Sequence, residues 1–442
     1  MVLPPKHYAG ATWLFEQLVN DDPLAGNVNA AVRTKIRHRG PRVREISSKQ
    51  RPETPTTNEV DTMIANAMRL ISIAFLGIFV FVISESASCA EDYKISGPFA
   101  HENLAVYFVH GPSQAGPVPK TLREAADNNL IGVTETRKVN QLIVENRGDT
   151  EIFLQAGEVV KGGDQDRVVG VSAILPPHSG PTPIVAFCIE RGRWSARAGE
   201  NHDTLSAGGR SVPPGTAKQF LSGAISAYFG ALIAANPGGA PTDPSQTTNA
   251  RQVSAAEARS TKQALERLSA EVSQAQAQTW SEADRMQVEL SRRLRASVSN
   301  PRSPTSLALT LDDKHLQAAE DGFVTALQSH GMEDNDVIGY VLAVDGRIDS
   351  AQIYSSNELF RKMWAQSLRA GADEAIAADH SSNNALPSLD EVHSFIADSK
   401  GAVAKTVTAN EAQEITNEPG KTMIQTGRAG GAWIERTYHA IH

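Results

Sequence analysis

Residues 158–167, EVVKGGDQDR, and residues 188–194, CIERGRW, hold most of the side chains in this 442-residue chain that are equipped for chemistry. In the first, Gly162 and Gly163 let backbone N–H groups turn toward an anion. Lys161 and Arg167 would add charge and Gln165 a neutral hydrogen bond, a nest suited to phosphate or carboxylate. The competing reading is a hairpin turn in which the two glycines supply positive φ and the charges face water. Glu158 and Asp166 flank the loop, either as an acid–base pair or as ion-pair partners of Lys161 and Arg167. No lysine is followed by Ser or Thr in the GxxxxGK[ST] manner, so nucleotide hydrolysis by that kind of phosphate loop has no support.

The second segment closes the run TPIVAFCIE. Strand alternation sets Ile184, Ala186, Cys188 and Glu190 on one face and Val185, Phe187 and Ile189 on the other. Cys188 qualifies as a nucleophile, with Glu190 beside it, if Arg191, Arg193 or His178 lowers its pKa. It qualifies equally as an inert buried thiol. Trp194 can stack a base or sugar while Arg191, Arg193 and Arg197 hold phosphates, or it can cap the sheet. The candidates are therefore catalytic Cys188, Glu190 and Glu158, with Lys161, Gly162, Gly163, Gln165, Arg167, Arg193 and Trp194 binding a ligand in one polar cleft. The twelve histidines show no HxH, HExxH or CxxC spacing and there is no GxSxG elbow, so no metal, no cofactor and no serine triad is expected.

These residues must be positioned by a β-rich segment. LAVYFVH, LIGVTE, QLIVEN, IFLQAG, RVVGVSAIL and TPIVAFCIE read as strands punctuated by Gly, Pro, Asn and Asp, with a short helix near Leu122–Asn128. A sandwich or small barrel over 91–215 follows, with Ser195–Gly215 as a surface loop. Within 216–300, TAKQFLSGAISAYFGALIAA reads as a packed helix and 236–250 as a linker. Arg251–Val298 reads as a long amphipathic helix whose stripe is Leu265, Leu268, Val272, Ala275, Ala283, Met286, Leu290 and Leu294.

Over 301–442 the pattern turns mixed. SLALTL, VIGYVLAV, RIDSAQIYS, AVAKTV, KTMIQT and AWIERTYHA read as strands, and VDGR as a tight turn. DDKHLQAAEDGFVTALQSHG reads as a helix, SSNELFRKMWAQSLRAGADEAIAA as an amphipathic helix with a Ser cap and Glu358 in its first turn, and Leu389–Lys400 as another. The chain is thus α+β: a β-rich half, a long helix, then strands and helices that form a second domain or continue the first sheet.

Composition bounds what the site can serve. A chain with 40% hydrophobic residues can bury a full core, and 6% aromatic implies aliphatic and alanine-rich packing. Of 42 Lys/Arg and 50 Asp/Glu, residues 1–90 hold ten and eight, which leaves the body near −10. A body of that sign repels phosphate backbones, so nucleic acid is not an expected partner. The body is expected to be monomeric or weakly associating.

MRLISIAFLGIFVFVISESASCAED has an arginine, an apolar run Leu70–Ile83 and small residues before Ala90, so 63–90 reads as a signal peptide or signal anchor. A lipidated Cys89 is the lesser variant. Residues 1–62, with RTKIRHRGPRVRE, read as a disordered extension, or translation starts instead at Met63 or Met68. The body is expected to be exported, periplasmic or extracellular, with any membrane contact confined to 70–83. Once Cys89 is removed or lipidated, Cys188 is alone and forms no internal disulfide.

Together, IFLQAGEVVKGGDQDR, ILPPHS, IVAFCIERGRW, the helix ending QTW, and VIGYVLAVDGRIDSAQIYSSNELFRKMW resemble the ARPP family, a domain associated with ADP-ribosylglycohydrolases and with rhodanese- and phosphatase-like proteins. The resemblance covers most of 94–442, with the helix over 251–278 read as longer than the family pattern. It brings no established activity or catalytic residues. Three functions follow: binding of a small anionic, phosphate- or ADP-ribose-like ligand; a thiol- or carboxylate-dependent hydrolase; and an envelope scaffold acting through the long helix.

Overall fold

LAVYFVH, which forms β2 (Leu104–His110), is buried along its whole length because both faces of its sheet are covered. Leu104, Val106 and Phe108 join one core and Ala105, Tyr107 and Val109 another. The computed structural model describes residues 93–235, 255–378, 385–397, 405–410, 413–428 and 432–441. The extension, the signal segment and the linker at 236–250 lie outside them. Among the described residues no helix is long and apolar enough to cross a membrane.

β2 lies in an eight-stranded antiparallel sheet that curls into a half-barrel. Its order is β1 (Lys94–His101), β2, β12 (Val337–Val344), β13 (Arg347–Tyr354), β17 (Trp433–Ala440), β16 (Lys421–Gly427), β15 (Gln413–Glu418) and β14 (Lys405–Asn410). The C-terminal strands thus continue the sheet begun by the N-terminal hairpin. The division at 215 and 300 does not separate independent sheets, and Asp92–His442 forms one unit. In the hairpin between β12 and β13, Asp345 and Gly346 take φ of 50° and 75°, the positive values a two-residue turn requires.

A six-stranded sheet follows, in the order β11 (Leu205–Ser211), β7 (Glu158–Gly162), β8 (Arg167–Val169), β10 (Thr182–Cys188), β5 (Gln141–Asn146) and β4 (Ile131–Glu135). One face packs on a small sheet of β3 (Lys120–Thr121), β6 (Ile152–Leu154) and β9 (Ala173–Leu175), with α1 (Leu122–Asp127) alongside. The other face meets the helices α2 (Pro214–Ala235), α3 (Ala255–Leu294), α4 (Leu307–Thr310), α5 (Lys314–Leu327) and α7 (Asn357–Ala377), which separate it from the eight-stranded sheet. A single turn, α6 (His330–Glu333), precedes β12, and α8 (Leu389–Ile396) covers the far side of the large sheet. The fold is α+β, with strands at both ends of the chain and most helices between the sheets.

β10 obeys the expected alternation. Phe187 and Ile189 enter the helical core, while Ile184 and Ala186 enter the core shared with the small sheet. The stripe of α3 is consumed in the same way, with Val272, Ala275, Ala283, Met286 and Leu290 all buried.

Two expectations are corrected. Ser195–Gly215 is not simply a surface loop, because it contains the edge strand β11. Its glycine pair sits where the register with β7 shifts, and a Cβ at Gly208 would lie 2.9 Å from the Val159 carbonyl oxygen, so the loop-like composition reflects a close approach. SLALTL is not a strand but the short helix α4, capped by Ser306 Oγ on Leu309 N–H at 3.0 Å. An apolar run this short, buried all round, has no period that separates helix from strand.

Candidate functional site

The loop between β7 and β8 is the turn, and its glycines supply the positive φ, 113° at Gly162 and 53° at Gly163. The anion it binds is its own. Gly162 N–H donates to Asp166 Oδ1 at 3.0 Å, and Arg197 grips the same carboxylate with two bonds of 2.6 and 2.7 Å. Ser306 Oγ donates to it at 2.6 Å. Burial alone would raise the Asp166 pKa, but Arg197 and Ser306 hold it below the usual carboxylate range. Glu190 accepts from Arg193 Nε at 2.6 Å, from Asp166 N–H at 2.9 Å and from the Ser303 hydroxyl. Arg193 also reaches the Gly163 carbonyl at 2.8 Å. Asp166, Glu190, Arg193 and Arg197 thus form one buried network that fastens the loop to the α3–α4 connection.

Arg167 does not join that network. Its Nη2 donates to both Glu135 carboxylate oxygens, at 2.9 and 3.0 Å, and its Nη1 to Cys188 Sγ, whose residue is its register partner, at 2.7 Å. Lys161 pairs with Asp312 and Arg191 with Asp284, rather than with the carboxylates flanking the loop. Gln165 is fully buried with neither amide atom partnered, and Trp194 stands 54% exposed instead of capping a sheet. The expected set is thus divided: Lys161, Arg167 and Trp194 are directed away from the residues that Asp166 and Glu190 gather. The loop and CIERGRW do meet, through Asp166, Glu190, Gly163 and Arg193, but their cations are spent on internal anions.

Cys188 is sealed, and burial pushes its thiol up to about 11 against the opposing Arg167 charge. Its S–H donates to the Val139 carbonyl at 3.6 Å, so it stays a neutral thiol. Compared with the same thiol at its ordinary value of 9.0, this lowers the thiolate fraction about a hundredfold. A disulfide reagent should therefore label Cys188 on the order of a hundredfold more slowly in the folded protein than in urea, before counting the loss of access. Equal rates in the two states would mean that the site is open.

Glu158 lies elsewhere and leads to a different site. β13 and β17 carry polar residues at every second position, Ser350, Gln352 and Tyr354 against His439, Thr437 and Glu435, on the sheet face that meets the helical core. Tyr340 extends the row through Gln352, and Thr426 lies beside Glu435 in register. Opposite them stand Gln155 and Ser172 from the small-sheet turns, Ser211, the start of α2 with Ala217 and Phe220, and Ser367 of α7. Between these walls lies a cavity of roughly 60 Å³, room for several waters or one small molecule.

The wall is bonded as a unit. Tyr354 Oη donates to Gln155 Oε1 at 2.8 Å, Gln155 Nε2 donates to Gln352 Oε1 at 3.2 Å, and the Tyr340 hydroxyl donates to the same Gln352 oxygen. Glu158 stands just behind this wall, accepting from Gln155 N–H at 2.7 Å and Gln366 Nε2 at 3.2 Å. Glu435 accepts from Thr437 Oγ1 at 3.0 Å. Burial pushes both carboxyls up to about 7. Burial lowers His439 to about 4, so its ring is neutral, and its Nδ1 has no partner. Burial also raises the Tyr340 and Tyr354 hydroxyls, which stay protonated.

Of this constellation the sequence pointed only to Glu158. The missed signal was the alternation of SxQxY and ExTxH in strands whose other face is also covered. Read alone, such alternation marks a solvated face.

Buried His110 and exposed Asp334 and Asp336 bring potential ligand atoms within 4.8 Å of one another. Both His110 nitrogens are already engaged, by Ser96 Oγ at 2.7 Å and Asp336 Oδ1 at 2.8 Å.

The family described as ARG and Rhodanese-Phosphatase-superfamily-associated Protein domain matches residues 92–219 and 243–439. The match includes the helix over 251–278 and leaves out 220–242, most of α2 and the segment after it, so the departure from the family pattern lies there. No curated protein and no solved structure shows significant similarity to the chain.

Proposed function

This chain belongs to the ARG and Rhodanese-Phosphatase-superfamily-associated Protein domain family, and we propose that it binds a small polar molecule in the cavity between its sheets. One observation carries the reading. A polar wall of buried Gln155, Tyr340, Ser350 and Thr437 with half-buried Gln352 and His439 surrounds space, where a merely structural sheet face would carry apolar packing. An anionic, phosphate- or ADP-ribose-like occupant has less support, because Lys218, which neighbours His439, is engaged by Asp349. A carboxylate-dependent reaction is the second reading, favoured by Glu158, since a carboxyl titrating near neutrality can both give and take a proton. A thiol-dependent reaction lacks that support. For localisation we infer export, on the apolar run and small residues of 68–90 alone.

The test is a thermal-shift screen of small polar metabolites against the wild type and Ala370→Leu, which places bulk into the cavity. Compounds that raise the wild-type melting temperature should lose their effect in the folded variant. If no compound stabilises the wild type, or if stabilisers act equally on both proteins, the reading fails.

A further inference from the structure

We propose that the occupant of this cavity is a cation, a small molecule bearing an ammonium or guanidinium group held toward Glu158 and Glu435. The proposal rests on the cavity reading above and adds the charge of the ligand. Among the described residues the fold pairs its other buried carboxylates with a cation. Glu135 meets Arg167, Asp166 meets Arg197, Glu190 meets Arg193, Glu320 and Asp373 meet Arg210, and Glu418 meets Lys421. Glu158 and Glu435, 3% and 1% exposed, are the exceptions. Their hydrogen-bond partners are a backbone amide, a glutamine and hydroxyls. An unpaired buried carboxylate is costly, and here two lie close enough for the Glu435 charge to act on Glu158.

The surroundings suit a cation. Gln155, whose backbone N–H donates to Glu158, and Thr437, whose hydroxyl donates to Glu435, both line the cavity, so each carboxylate lies one residue behind the wall. Two polar atoms there have no partner and can accept a hydrogen bond, His439 Nδ1 on the wall in the tautomer that leaves it unprotonated, and Thr426 Oγ1, 1% exposed and beside Glu435 in register. An ammonium or guanidinium group brings several donors at once. The rings of Phe220 and Tyr340 line the same space, and aromatic faces attract cations once water is excluded. The other titratable groups nearby do not supply the missing charge. Tyr340 and Tyr354 are protonated, His439 is neutral, Lys218 is held by Asp349, and Glu374, which burial also pushes up to about 7, supplies no positive charge.

Binding of a cation must displace the protons that these carboxyls carry near neutrality, so affinity should rise with pH. Calorimetric titration of the full chain with methylammonium and with guanidinium at millimolar concentration tests this, using methanol, urea and acetate as the neutral and anionic controls. The cations are expected to bind and acetate not to. Their dissociation constants should weaken on the order of tenfold per pH unit below about pH 7. Glu435→Gln, and separately Glu158→Gln, should each weaken them by at least about tenfold with circular dichroism unchanged. If urea and methanol bind as well as the cations, or if both variants bind unchanged, the charge assignment is overturned while the cavity reading stands. If no probe of any charge binds, both fall.

Discussion

A protein carrying Glu158→Gln and Glu435→Gln should be more stable than the wild type near pH 8 and close to it near pH 4.5. Both carboxyls sit at about 7 in the folded chain against an ordinary value of 4.5. Between those values the folded state holds protons that the unfolded state has released, so stability is complete below the unfolded value and falls as pH rises through 7. Each group then costs about 3 kcal/mol above that range, on the order of what its shift converts to. Glutamine mimics the protonated acid and escapes the cost. His439, lowered to about 4, works in the opposite sense and loses stability as pH falls. The difference between wild type and variant, not the wild-type profile, isolates the carboxylates. Urea midpoints across this pH range would measure it, and a variant less stable than wild type near pH 8 would contradict the assignment.

Asp166→Ala should destabilise by ~3–5 kcal/mol, the usual cost of removing one partner from a buried charge network. The alanine strands the Arg197 guanidinium at a buried position, frees the Gly162 N–H and removes the acceptor of Ser306. Asp203→Ala provides the contrast, since Asp203 and its partner Arg137 are 72% and 67% exposed. Its cost should stay within ~0.5 kcal/mol. Similar losses at the two positions would mean that the network adds nothing to the fold.

The sequence disclosed elements better than their partners. Ser356 and the VDGR turn identify themselves because caps and positive-φ turns are local chemistry. β10 is legible to the single residue because both its faces are buried and each carries its own apolar set. The site was hidden for the converse reason. Residues 350–354 and 435–439 alternate like solvated strands, and only the tertiary arrangement covers them with α2, α7 and the turn at Gln155. The ion pairs were equally opaque. Arg167 stands beside Asp166 in sequence, yet it turns with the pleat toward Glu135 while Asp166 meets Arg197. Neighbours along a strand point to opposite faces, so proximity in sequence predicted the wrong pairs.

The large sheet also governs how the chain reaches its native state. β2 ends at His110, but the strand that covers its free edge begins only at Val337. During synthesis the N-terminal hairpin waits on the order of tens of seconds for that partner. Throughout that interval it presents an apolar, unsatisfied edge of the kind that recruits other chains. The covering strands arrive last and from far along the sequence, so closing this sheet is a slow, non-local step. A holdase that occupies Leu104–His110 until the C-terminal strands emerge would protect the interval of greatest aggregation risk.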